Sequence, residues 1–501
     1  MEHFLDSCVE DFQGCGSIPE NSLPPALQGY LNMSASDSKF REVHGTDVHT
    51  WECVSRCIFL AVECDPDKGF WRYLNGLLLI SRNLVCTKGA GSLAWSEGSG
   101  LQALLLTKKL LKLTALSAQQ ERVLGTVLQF IANMTSEAVS NTTPIPALHV
   151  PIDQFDTDEI RNFCRQLATT NAKPILVFLE TMITQDPAHM TPLLVSTENG
   201  KQIFTEILTH TEIWYSQNED HELTQHCSLL VNRIVKNILH TGYGPHCLKT
   251  FSTETITPDQ WLSMLKLFDA AICSLFEQDG SSLNLETHIT LTVAYYTELE
   301  NAATKAIPFI QQVDVKPEYS QAMQLELRNA WNSLVVLLDT LHALLDDKNE
   351  SIKQALLSQC DILTTLVTLL GEAQKTLPRR GKLSEINDEG FEPNPEEFPL
   401  IKGKIITLLS LLTLHNPTVQ NRIRELHGLE MILSNCMIDR NNPFIRERAI
   451  LCIRYLLEGN AENQAFVAKL EAKETVSEGA IDEAGYQTEF IDGKLKLKKK
   501  Q

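Results

Sequence analysis

A chain of 501 residues is longer than one compact core usually holds, and its 43% hydrophobic residues supply ample surface to bury. A formal net charge of −20 repels phosphate backbones and acidic headgroups, which sets aside nucleic-acid binding and stable membrane association. Thirteen cysteines, several inside apolar helical patterns (Cys227, Cys273, Cys436, Cys452), suit reduced buried thiols and not a disulfide framework.

Residues 1–50 read as a partly helical N-terminal segment, polar over 31–48. The acidic start, Met1 to Asp6, has no basic region ahead of an apolar core, so no signal peptide is expected. His49, Cys53 and Cys57 then fall at i, i+4 and i+8 of one predicted helix. Two turns span roughly 12 Å, too far for one ion to touch all three. At most two would bind, with Cys64 or His44 helping; buried thiols on a core face are the preferred reading, and no metal site is expected.

Residues 51–372 read as armadillo-like helical repeats. Within them Gly89-Ala-Gly91-Ser-Leu-Ala94 has the form of a dinucleotide fingerprint. That chemistry needs a strand before the glycines, whereas Leu74 to Val85 is a helical pattern, so no cofactor is expected. Apolar stripes at helical spacing recur: Leu124, Val127, Leu128, Ile131; Trp261, Leu265, Phe268, Ile272; Trp331, Leu334, Leu338, Leu341, Leu345. His221 and His226 are five apart and miss the four-residue spacing of a zinc-protease helix. Thr257-Pro-Asp-Gln260 reads as a capping box, and Asn416-Pro417 and Asn442-Pro443 as Asn caps with Pro at the first helical position. Residues 373–399 read as a disordered acidic, Pro-containing insertion, 400–470 as C-terminal repeats, and 471–501 as a polar, solvated tail ending in the basic run Lys494–Lys500.

Self-similarity is visible on both sides of the insertion. Asn349-Glu-Ser-Ile352 aligns with Asn416-Pro-Thr-Val419 at an offset of 67, with Leu356 on Ile423, Ile362 on Leu429 and Leu366 on Leu433. A further echo around Asn460 to Val467 lies roughly 43 to 45 residues on, an armadillo/HEAT period. Upstream, Asn83, Asn133 and Asn237 each sit inside an otherwise apolar helix. An Asn gains nothing there from propensity, so it either bonds the neighbouring repeat or faces a groove and binds a partner's backbone. The fold expected is an all-α, armadillo/HEAT-like α-solenoid.

The C-terminal block carries a resemblance. Asn416-x4-Asn421-Arg-Ile423, Gly428 through Asn435-Cys436, Asp439-x3-Pro443-Phe444 and Asn460-x2-Asn463-Gln464 resemble, in order and spacing, the C-terminal domain of the ataxin-10 family. The likeness is sharp over about 400–470, diffuse upstream through the Asn83 and Asn133 helices, and absent from the insertion and tail. It departs at Leu411 and Tyr455, where some family helices carry Asn.

What the resemblance implies is a cytoplasmic, non-catalytic scaffold acting in cell division, particularly cytokinesis, and in cell survival. Its partners would be other proteins, self-association included. The residues expected to bind a partner or stack repeats are Asn83, Asn133, Asn237, Asn416, Asn421 and Asn463. The competing readings are an importin-like peptide carrier, which needs Asn and Trp in register along a groove, and an enzyme with an unrecognised site.

Overall fold

The computed structural model describes residues 1–13, 25–64, 68–139, 155–216, 222–251, 255–277, 283–313, 320–346, 350–380, 394–470, 486–491 and 494–499. The chain divides into two compact units, Met1–Ala271 and Ile272–Gln501.

The first unit contains α1 (Glu2–Gln13), α2 (Pro25–Ser36), α3 (Ser38–Gly45), α4 (Val48–Glu63), α5 (Lys68–Leu84), α6 (Ala90–Ser96), α7 (Ser99–Leu111), α8 (Ala118–Val139), α9 (Thr157–Arg165), α10 (Ala172–Gln185), α11 (Pro187–Ser196), α12 (Glu198–Ser216), α13 (Glu222–His240) and α14 (Gly244–Thr250). The boundary falls within α15 (Pro258–Glu277). Two ladders of stacked helices run through this unit, α1–α4–α7–α9–α12 and α2–α5–α8–α10–α13. Each repeat buries its apolar stripe on the one before it, as an armadillo-type array requires. Leu124, Val127, Leu128 and Ile131 of α8 are fully buried, as their spacing predicts. The ladders are also tied by polar caps. Lys109 Nζ of α7 donates to the carbonyls of Ala61, Val62 and Cys64 at the end of α4. Asn162 of α9 does the same for Leu111 and Leu113 at the end of α7. These donors satisfy carbonyls that a helix end leaves unpaired.

The Gly89 segment lies between two helices: α5 precedes it, and Gly89, in the left-handed region at φ 86°, opens α6. The strand that a dinucleotide fold needs is replaced by a helix. The capping box is formed: Gln260 Oε1 accepts from Thr257 N–H at 2.9 Å, and Thr257 Oγ1 from Gln260 N–H at 3.3 Å.

The second unit contains α16 (Leu285–Gln312), α17 (Gln321–Leu345), α18 (Glu350–Gln359), α19 (Ile362–Thr376), α20 (Ile401–Thr413), α21 (Pro417–Glu425), α22 (Gly428–Ser434), α23 (Ile445–Leu457) and α24 (Ala461–Lys469). Its ladder is α17–α20–α23, with α19 packed against α16, α20 and α22. Of the expected insertion, 381–393 lies outside the described residues; its flanks belong to the fold. Helix α19 runs to Thr376, and Phe398 is fully buried. The reason is tertiary: Trp331 Nε1 donates to the Pro399 carbonyl at 2.9 Å, holding the returning chain on α17.

Residues 486–499 contain an antiparallel pair, β1 (Tyr486–Ile491) and β2 (Lys494–Lys499), with Ile491 opposite Lys494. Within the tail read as polar and solvated these residues pair as strands, the exception to an otherwise helical fold among the described residues. The signal for this pairing was in the sequence, where an Asp-Gly dipeptide between runs of alternating character is a favoured hairpin signature; residues 492–493 themselves lie outside the described residues.

No single helix among the described residues is long and apolar enough to cross a membrane; the bent pair α18 and α19 passes by composition alone, and Leu356, Ile362 and Leu366 within it are fully buried.

Eleven cysteines among the described residues lie outside disulfides, and Cys64 is disulfide-bonded, one bridge where none was expected. Burial pushes the thiols of Cys8 and Cys164 up to about 12 and that of Cys227 up to about 11. Cys86 is exposed. In native labelling with iodoacetamide at neutral pH, Cys86 is expected to react first and Cys8, Cys164 and Cys227 at least about tenfold more slowly, because only the thiolate attacks. Peptide mass spectrometry over a time course checks the order; early labelling of Cys164 contradicts it.

Candidate protein-interaction site

The six asparagines singled out by spacing fall into two groups, one in each unit. Asn83, Asn133 and Asn237 lie near the C-terminal ends of α5, α8 and α13, all members of one ladder. Each side chain reaches back one repeat. Asn83 Nδ2 donates to Ser34 Oγ on α2 at 3.2 Å, Asn133 Nδ2 to the Arg82 carbonyl on α5 at 3.2 Å, and Asn237 Nδ2 to Thr184 Oγ1 on α10 at 3.0 Å. The separations of 49, 51 and 53 residues give the repeat length of this unit. The tryptophans do not join them: Trp51 and Trp261 are buried, and Trp331 is bonded to Pro399.

Asn416, Asn421 and Asn463 lie in the last repeats. Asn416 caps α21, accepting from Val419 N–H at 3.2 Å, with Pro417 at the first helical position. Asn421 accepts from Arg424 Nη1 at 3.2 Å and from Asn460 Nδ2 at 2.9 Å. Asn463 is fully buried; its Nδ2 donates to the carbonyls of Leu456 at 2.8 Å and Gln420 at 3.3 Å, and its Oδ1 accepts from Arg424. Gln420 Nε2 in turn donates to the Tyr455 carbonyl at 2.9 Å. Side chains of α21 and α24 thus cap the C-terminal end of α23. Asn416 and Asn421 also face a groove of about 540 Å³ between α21 and α18, whose other wall includes Leu357, Cys360 and Asp361. Burial, then the Glu300 carboxylate, raises the Cys360 thiol above its ordinary value, so it is a poor nucleophile there.

The loop 437–444 departs from the expected Asn cap. Asn442 does not cap α23. Its Oδ1 accepts from Gly403 N–H at 3.1 Å, capping α20, whose own N-cap Leu400 makes no side-chain cap bond. The neighbouring carboxylate of Asp439, 4% exposed, organises the loop. It accepts from the N–H groups of Arg380 (3.2 Å) and Asn441 (3.1 Å) and from Asn442 Nδ2 (2.9 Å), and it pairs with the buried Lys402 ammonium at 3.2 Å.

This framework ends on Phe444, the N-cap of α23, at φ 61° and 72% exposed. Among the described residues every non-glycine with positive φ lies between Phe398 and Phe444. A left-handed residue with a Cβ costs on the order of 1–2 kcal/mol. Here that strain holds a large apolar ring in water. Ile438 shares a pocket of about 270 Å³ with it, and Ile450 (54% exposed) and Leu451 (42%) continue along α23, with Leu451 seven residues on from Phe444. Large exposed apolar groups on a rigid support are the mark of a protein-binding surface. The Asp439 and Phe444 spacing was legible in the sequence; the exposure of Phe444 was not, because Asn442-Pro443 read as an ordinary helix start.

The family model described as the spinocerebellar ataxia type 10 protein domain matches residues 401–498. That match runs past 470, where the resemblance read from the sequence stopped, and takes in all but the last residue of the strand pair. An ataxin-10 homolog from Debaryomyces hansenii is 29% identical over 442 residues, 85% of this chain and 80% of that protein. One from Candida albicans is 49% identical over 119 residues, 24% of each chain. Ataxin-10 of Xenopus tropicalis is 38% identical over 97 residues, 19% of this chain and 20% of that one.

Proposed function

The chain belongs to the ataxin-10 family, and from that premise we propose that it is a cytoplasmic, non-catalytic scaffold of cell division that docks a partner protein on its C-terminal repeats. The observation that carries the docking site is Phe444. A buried polar framework holds its backbone in a strained conformation while its ring stays 72% exposed. Leu400 and His427 start α20 and α22 in the same left-handed region, so what points to a partner at Phe444 is the exposure of a large apolar ring beside Ile438, Ile450 and Leu451.

The chemistry of the repeats supports a scaffold over an enzyme. Asn416, Asn421, Asn463 and Asp439 are bonded to helix ends, loop N–H groups and one another. Every cysteine shift resolved among the described residues is upward, away from a thiolate nucleophile.

Phe444→Gly tests the reading because it separates binding from folding. Glycine relieves the left-handed strain, so stability should hold or rise by up to about 1 kcal/mol. Partner recovery should fall by about tenfold or more, the loss typical of an aromatic anchor. The measurement is quantitative affinity capture from dividing cells with the wild type, Phe444→Gly and Leu451→Ser, beside thermal unfolding of each. Equal recovery of division proteins by all three would remove this surface from the function. Recovery of specific partners unconnected with division would leave the scaffold and overturn the division role.

A further inference from the structure

The N-terminal helices bring together a donor set that spacing along one helix did not reveal. Asp6 on α1 faces His49 and Cys53 on α4, and their ligand atoms converge within 4.8 Å of one another. Cys57, the third residue of the sequence pattern, is excluded; it is buried in the core one turn further on. The carboxylate from a different helix takes its place.

The triangle has the size of a metal site. Asp6 Oδ1 lies 3.1 Å from His49 Nε2, Cys53 Sγ lies 3.6 Å from His49 Nε2, and Cys53 Sγ lies 3.9 Å from Asp6 Oδ1. A tetrahedral Zn²⁺ with bonds of about 2.0–2.1 Å to N and O and about 2.3 Å to S requires edges of roughly 3.3 Å between N and O and roughly 3.6 Å to sulfur. The three edges fit to within a few tenths of an ångström. The far ring nitrogen, His49 Nδ1, lies 3.9 Å from Glu52 Oε2, near enough for charge attraction though not for a hydrogen bond. The surroundings are negative as well. After burial itself, Asp6, Glu52 and Asp47 are the groups that oppose ionisation of the Cys53 thiol, and the same carboxylates favour a cation at this point. Cys53 is 6% exposed, whereas the side chains of Asp6 and His49 are 53% and 41% exposed, so an ion enters from the solvent side.

We propose that Asp6, His49 and Cys53 form a zinc-class metal site with solvent in the fourth position, clipping α1 onto α4. Binding exchanges the thiol proton for the metal–sulfur bond and releases that proton to solvent, with no change of oxidation state. The ion then links the first helix of the chain to the second repeat, which no other contact at this mouth does covalently or coordinately among the described residues.

The test uses the full-length chain, freed of metal and kept reduced with a phosphine. Zn²⁺ binding is measured by calorimetry, and Co²⁺ serves as the spectroscopic probe. Expected are one ion per chain, a thiolate-to-cobalt charge-transfer band that Cys53→Ser abolishes, and a loss of Zn²⁺ affinity of about tenfold or more in His49→Gln and in Asp6→Asn. The last two side chains are half-exposed, so those variants report on the site even where Cys53→Ser fails to fold. Zn²⁺ should also slow amide exchange in α1 of the wild type and not of His49→Gln. Binding that persists unchanged in His49→Gln and Asp6→Asn, or a cobalt spectrum without the sulfur band, overturns the proposal, as does no binding at all.

Discussion

Asp439→Ala is expected to destabilise the C-terminal repeats by about 3–5 kcal/mol, the cost of leaving a buried charge without its partner. Lys402 and Asp439 have side chains only 6% and 2% exposed, so water does not replace the lost carboxylate. The same change also strands the N–H groups of Arg380 and Asn441 and the amide of Asn442, which hold the 380 segment and the 437–444 loop in place. Lys402→Met should cost less, about 1–3 kcal/mol, because the carboxylate keeps those three other donors. The order of the two variants is the informative result. Chemical denaturation gives the totals, and hydrogen exchange should show the loss concentrated in 394–469. Equal costs would mean that the ion pair dominates and the loop bonds contribute little. A cost under about 1 kcal/mol for Asp439→Ala would mean that water reaches the pair. Because Asp439 positions Phe444, this variant should also lose the partner that Phe444→Gly loses, but with unfolding as the cause.

Trp51→Ala is expected to cost the N-terminal unit about 3–5 kcal/mol, the range for truncating a large buried aromatic. Trp51 on α4 is fully buried and stacks on Phe130 of α8 with ring centroids 6.1 Å apart. Its indole N–H donates to the Gly45 carbonyl at 2.8 Å, and its own carbonyl accepts from Ser99 Oγ of α7 at 3.2 Å. The side chain therefore joins the end of α3 and α8, and the backbone carbonyl ties α4 to α7. Trp51→Phe, which keeps a ring but removes the donor, should fall between wild type and Trp51→Ala. The check is denaturant unfolding with exchange protection read in α4 and α8. Loss confined to α3 would show that the Gly45 bond, and not the stack, is what Trp51 contributes.

The stability of both sites rests on contacts between repeats, and that divides what was legible. Helical periodicity needs only neighbours three and four residues away, so α8, α15 and α17 could be read directly, as could the Thr257 box and the Asn416 cap. The recurrence of Asn83, Asn133 and Asn237 told that something repeats. Only the stack decided that each amide reaches the helix one repeat earlier, since a distance of about 50 residues in the chain becomes a hydrogen bond only when repeats pack. The same holds for Asn442-Pro443. Its sequence reads as a local cap, but the amide is better used on Gly403, because Leu400 brings no side-chain acceptor to the start of α20. The hairpin shows a different limit: Asp492-Gly493 and the alternation around it were present, but alternating Lys and Leu read first as a charge run. His49 and Cys53 were visible at helical spacing, yet Asp6 is 43 residues from His49 and comes beside it only through the packing of α1 on α4. The sequence by itself determined most of the helices, the Thr257 and Asn416 caps and the likeness to the ataxin-10 family. The tertiary structure decided which polar groups meet, because convergence of distant side chains depends on how the repeats stack and no local pattern encodes it.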